Sequence, residues 1–145
     1  MQGLTIDTGI IRLAVNNDPE RVIEFNPRDQ LFAEKFYRVY EEILEKEKEI
    51  SGRVENFKEN MTDVDEQGIP VNIKDGIELW KDTGLWVRDR IDYVFGAGTS
   101  QKAFGDAIVF EAFQQFFEGV TPFIQSARGE RLAKYTGKKG SRVMQ

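Results

Sequence analysis

Between Ile77 and Val94, apolar or small residues stand at Ile77, Trp80, Gly84, Val87, Ile91 and Val94, in steps of 3, 4, 3, 4 and 3. That spacing gathers on one face of an α-helix and fits no strand. A helix with such a seam must bury it, so the chain needs at least one more helix to pack against it. Leu31, Phe32, Phe36, Val39, Tyr40, Ile43 and Leu44 recur in the same way, and Ile50, Val54, Phe57 and Met61 prolong the stripe past Ser51-Gly52, where a kink is allowed. A third apolar face runs through Phe110, Phe113, Phe117, Val120 and Ile124. Three substantial helices are therefore expected, at about 27–60, 76–95 and 106–134.

The chain ahead of them reads differently. Ile10 to Val15 is apolar and β-branched, Asn16 to Glu20 is a cluster of turn formers, and Arg21 to Phe25 alternates. This is a β-hairpin signal. Two strands alone are marginal in water, so the hairpin must lie on the helices. Asn26 is expected to cap the first helix with Pro27 in its first turn. Gly96-Ala97-Gly98 should end the second helix, with Thr99 or Ser100 capping a short turn up to Gly105 and Asp106 capping the last helix. Pro122 predicts a kink or break near Gly119 to Thr121. Gly84 sits on the seam, where either a close helix crossing or a local break accounts for it. The fold class is α+β, mainly α, around one aromatic core in which Trp80, Val87 and Ile91 meet Phe113 and Phe117.

At 145 residues one domain is expected, here 1–135, followed by a basic and flexible tail, 136–145. There is no cysteine and no histidine, which removes thiol chemistry, the commonest general base and the commonest zinc ligand. No secretory signal and no membrane-spanning run is apparent. Charge is split: residues 1–127 carry 14 Lys+Arg and 24 Asp+Glu, while residues 128–145 carry 6 Lys+Arg and one acid. An acidic body with a basic end can engage an acidic partner or copies of itself. The plainer reading is a solvated, frayed terminus. The acidic body speaks against nucleic acid as a partner, although Tyr135 stands among Arg131, Lys134, Lys138 and Lys139.

Three constellations invite chemistry and none is persuasive. Asp63 to Gly68 resembles the start of a calcium-binding loop, but Lys74 occupies the position of the bidentate glutamate and Pro70 interrupts the small β-pair. Gly96, Gly98, Thr99 and Ser100 resemble a phosphate loop in the wrong context, helix to helix instead of strand to helix. Asp89 and Asp92 could form a paired-carboxylate site, but ion pairing with Arg88 and Arg90 is simpler. No metal, no cofactor and no catalytic residue is expected.

Several short elements together resemble a known family. They are Ile23-x-Phe25-Asn26-Pro27, Phe32 to Phe36 (Phe-Ala-Glu-Lys-Phe), and Asp92 to Thr99 (Asp-x-x-Phe-Gly-x-Gly-Thr). Phe104-Gly105-Asp106, the run Phe116 to Pro122 and the basic tail follow in the same order. The chain is similar to small proteins of tailed phages and prophages of Gram-positive bacteria that resemble tail assembly chaperones. Members often carry a cysteine between the two Phe-Gly pairs, and none stands here. The resemblance implies a non-enzymatic protein of the bacterial cytoplasm that binds the tape-measure protein, tail-tube subunits, or both. A structural tail or head–tail connector subunit is the alternative, and a small carboxylate-dependent enzyme a more distant one. The expected partner-binding residues are Phe110, Phe116, Phe123, Arg128, Arg131, Lys134, Lys138 and Lys139. A homo-oligomer stays open, and neither nucleic acid nor membrane is expected.

Overall fold

The computed structural model describes residues 1–59, 64–69 and 72–136. Strands β1 (Ile11–Ala14) and β2 (Val22–Phe25) form an antiparallel hairpin, followed by helices α1 (Gln30–Glu59), α2 (Ile73–Phe95), α3 (Thr99–Phe104) and α4 (Phe110–Thr136). The architecture is α+β and mainly helical, with the hairpin first.

The hairpin register pairs Ile11 with Phe25 and Leu13 with Ile23, which puts four apolar side chains on one face. Arg12 and Glu24 pair on the other, 2.8 Å apart. The turn needs two consecutive left-handed residues, supplied by Asn16 (φ 54°) and Asn17 (φ 61°). Asparagine tolerates that region better than other side-chain-bearing residues. Both strands are shorter than expected because Val15 to Asn17 tighten into a 3-10 turn.

The core is a chain of edge-on rings. Phe25 meets Phe95 at 5.2 Å between centroids, Phe95 meets Phe32 at 5.4 Å and Phe116 at 5.0 Å, and Phe104 meets Phe113 at 5.0 Å. T-shaped pairs set the electropositive ring edge against the electronegative face, which adds directionality to burial. Ile23, Val39, Ile91, Val94, Val120 and Ile124 fill the space between the rings.

Several sequence expectations are corrected. Asp29, not Asn26, caps α1: its Oδ1 accepts from the Leu31 amide at 2.9 Å, while Asn26 Oδ1 closes the preceding turn on the Arg28 amide. The helix passes through Ser51-Gly52 unbroken. Asp106 does not cap α4, which starts only at Phe110, and its carboxylate instead accepts from Gln101 Nε2. Pro122 lies inside a continuous α4. Directly before it, Thr121 Oγ1 donates to the Phe117 carbonyl one turn back, at 2.5 Å. Gly84 is also helical, and it is neither a break nor a helix crossing: a Cβ there would run into Ile108, in the irregular strap between α3 and α4. Ile91 is fully buried and Val87 partly so, but Trp80 is 45% exposed and leans on Phe110 instead of Phe113.

Two substitutions check this packing. Phe113→Ala should lower the free energy of unfolding by about 3–5 kcal/mol in urea titrations, as a ring this buried leaves a cavity. Gly84→Ala should destabilise by about 1–3 kcal/mol through overpacking, despite a gain of about 1 kcal/mol in helix propensity. Truncating Ile108 to Ala in the Gly84→Ala background should then cost less than the same truncation in the parent.

Candidate docking surfaces

The Phe-Gly pairs and the charged cluster of α2 work together, and what they build is a joint. Asp92 near the end of α2 accepts from the Ser100 amide at 2.7 Å and from Ser100 Oγ at 3.0 Å. The cap of α3 thus comes from the previous helix, not from Thr99 or Ser100. Thr99 Oγ1 instead donates back to the Gly96 carbonyl at 2.7 Å. At the other end of α3, Arg21 of the hairpin donates to the carbonyls of Lys102 and Ala103, both at 2.9 Å. Arg88 reaches the carbonyls of Gly105 at 2.6 Å and Ala107 at 2.7 Å. Cations at a helix C-terminus satisfy carbonyls that have no partner within the helix. Gly96 (φ 116°) and Gly98 (φ 86°) make the sharp entry to α3, and no anion cradle is needed to explain them.

Asp89 and Asp92 are divided between tasks. Asp89 pairs with Arg90 at 2.6 Å, and Arg90 also reaches Glu42 of α1 at 3.2 Å and lies over the Tyr93 ring at 4.8 Å. The Arg90 guanidinium is held above its ordinary range, first by the hydrogen bond it donates to Asp89 and then by the charges of Glu42 and Asp89, against partial desolvation. Asp89 thus stays within α2 and Asp92 reaches α3, and the two do not converge on an open site.

In the acidic loop, Asp65 Oδ1 is engaged by the amides of Gln67 at 2.9 Å and Ile69 at 3.0 Å. Asp63 and Pro70 lie outside the described residues. Among the described residues no group of three or more acidic side chains could hold a metal ion, and no helix is long and apolar enough to cross a membrane.

Three candidate surfaces adjoin the core among the described residues, two of them apolar and the third mixed. The first lies where α2 overhangs the rest: Ile73 (47% exposed), Ile77 (61%) and Trp80 (45%) continue the core-facing stripe of α2, and Val109 and Phe110 adjoin it through the Trp80–Phe110 contact at 5.5 Å. The second is a groove of about 210 Å³ lined by Phe36, Val39, Tyr40, Ile43, Ile91, Val94, Phe95 and Phe117, with Arg90 at its rim. The third is a cleft of about 260 Å³ beside the N-terminal segment, where Asp7, Gly9 and Ile10 face Pro27, Arg28, Phe123 and Ser126.

The expected partner-binding residues fall in different places. Phe110 is on the first surface and Phe123 in the third. Phe116 is half-buried, wedged between Phe95, Phe104 and Phe117, so it offers little to a partner. Arg128, Arg131 and Lys134 belong to the last turns of α4, and Lys138 and Lys139 lie outside the described residues. Ile73, Ile77, Tyr37 and the open sides of Tyr40 and Leu44 were not expected at the surface as binding residues. The available signal was the width of the apolar arc on α1, which is broader than one packed neighbour can cover.

A small mainly helical protein with an N-terminal hairpin and open aromatic surfaces is the class that fold and geometry define. The chain belongs to DUF6673, a family of unknown function whose model matches residues 17–145. No curated protein and no solved structure matches it.

Added calcium should leave the melting temperature unchanged, since a ligand of the native state would raise it by mass action. A saturable rise of several degrees would restore the Asp63 to Lys74 loop as a binding site.

Proposed function

We propose that the protein acts without catalysis, as a tail assembly chaperone-like protein in the host cytoplasm. It binds the tape-measure protein, tail-tube subunits, or both, and keeps them competent for assembly. The tail context comes from the resemblance of the short motifs. The observation that supports docking is the overhanging face of Ile73, Ile77, Trp80, Val109 and Phe110. The same helical stripe that forms the core farther along α2 is uncovered there. Contiguous exposed apolar surface rimmed by polar residues commonly marks an interaction site. A long amphipathic helix of a tape-measure protein could lie along it, anchored at positions three and four apart.

Co-expression tests this. The protein should raise the soluble fraction of its phage's tape-measure protein. Ile77→Glu, at a side chain that is mostly exposed, should remove that effect while leaving the melting temperature nearly unchanged. Purified virions should lack the protein by mass spectrometry. Stoichiometric retention would favour a structural subunit, and an unaffected tape-measure protein would sink the chaperone reading.

A further inference from the structure

Helix α1 sorts its charges by side. Three of its cations turn toward α2: Lys35 lies over the Tyr93 ring at 5.3 Å, Arg38 donates to the Tyr93 hydroxyl at 2.8 Å, and Lys46 lies over the Trp86 ring at 5.4 Å. Another side carries Tyr37 (62% exposed), Tyr40 (54%) and Leu44 (45%) in steps of three and four. The Tyr37 and Tyr40 rings are 6.4 Å apart. Glu41, Glu45 and Glu47 stand beside this stripe, exposed, and pair with no cation among the described residues. Lys48 is the single cation among them. Tyr40 also lines the 210 Å³ apolar groove. The surface therefore asks for a ligand that is basic and carries a few apolar side chains.

The chain contains such a ligand. Residues 128–145 hold Arg128, Arg131, Lys134, Lys138, Lys139 and Arg142 against Glu130 alone, with Leu132 and Tyr135 three apart. We propose that this C-terminal segment of one copy docks on the Tyr37–Glu47 face of α1 in a second copy, so that copies associate head to tail.

Reach decides against the chain's own tail. The contacts Arg38–Tyr93, Glu42–Arg90 and Lys46–Trp86 make α1 and α2 antiparallel. The contacts Trp80–Phe110 and Phe95–Phe116 run α2 and α4 in the same sense. Hence α1 and α4 point in opposite directions. Ser126 and Ala127 share a cleft with Pro27 and Arg28, at the start of α1. From that level α4 travels about 14 Å onward to Thr136, while Glu41 lies about 20 Å the other way, at 1.5 Å per residue. From Thr136 to Arg142, the last cation, the chain spans at most about 20 Å fully extended, short of the combined distance. With α4 intact, its last turns therefore run away from the acidic face of the same chain.

Such a contact is heterologous: the tail and the face are different surfaces, so a bound pair still presents one free face and one free tail. Association grows into rings or open chains and weakens with salt. This inference does not depend on the tape-measure reading, because it uses a different surface and a single purified protein.

Sedimentation velocity on the full chain tests it with two charge reversals. One is Glu41→Lys, Glu45→Lys and Glu47→Lys together. The other is Arg131→Glu, Lys134→Glu, Lys138→Glu and Lys139→Glu together. The parent should form concentration-dependent oligomers at about 50 mM salt, and its apparent Kd should rise roughly tenfold or more by about 500 mM. Each reversal alone should be monomeric with an unchanged helical spectrum. A mixture of the two should associate again at low salt, because the intact face meets the intact tail and the reversed face meets the reversed tail, each pair opposite in charge. A parent that stays monomeric at low salt overturns the proposal. So does a tail-reversed variant that still oligomerises, or a mixture that stays monomeric while each component is folded.

Discussion

The structure depends on how the six-residue helix α3 is held. Alone it is too short to be stable, because the nucleation cost of a helix is not recovered within so few residues. It persists because three charged side chains from elsewhere complete its ends. Asp92 caps its start, and Arg21 and Arg88 take up carbonyls at and just past its end. These contacts join the hairpin, α2 and the strap to α4 at one place. They also fix Phe104, which meets Phe113 and Phe116 across the core and has the Arg88 guanidinium over its ring at 5.9 Å. Hydrogen bonds with one charged partner contribute more than neutral ones, so a partly buried joint of this kind can hold elements with little mutual apolar area.

Much of this was legible because periodicity is local. The three long helices and the hairpin follow from spacings of three, four and two. The joint was not legible, since its members are far apart in sequence: Arg21 meets Lys102 and Ala103 across most of the chain. From sequence alone Thr99, Ser100 and Asp106 were reasonable caps, but a carboxylate already fixed on α2 is the stronger acceptor and reaches the Ser100 amide first. Arg88 and Arg90 looked like a surface ion-pair cluster. One of them instead faces carbonyls, and the other ties α2 to α1 through Glu42.

The surfaces were less legible for a different reason. A helical stripe states which residues could be buried together, but not how far the neighbouring helix extends. Along α2 the same face is core at Ile91 and Val94 and open at Ile73 and Ile77. The difference lies in where α4 begins. Its first turn meets Trp80, so the α2 turns ahead of Trp80 project past the start of α4. Gly84 marks the limit of cover, since Ile108 closes on it and leaves no room for a side chain.

The two uncovered faces differ in chemistry, and that separates their roles. The α2 face is anchored by Trp80 and Phe110, a pairing suited to an apolar helix. The α1 face mixes tyrosines with glutamates that pair with no cation among the described residues, while Lys35 and Lys46 of the same helix lie over the Tyr93 and Trp86 rings. Those cation–π contacts leave the negative charge of α1 concentrated on the side that looks away from α2. Apolar area alone would attract many partners, whereas a one-signed rim adds selection by charge and suppresses the wrong ones. In the proposed contact between copies, the acidic face of α1 in one molecule meets the basic C-terminal segment of another, and that charge match sets it apart from the apolar α2 face.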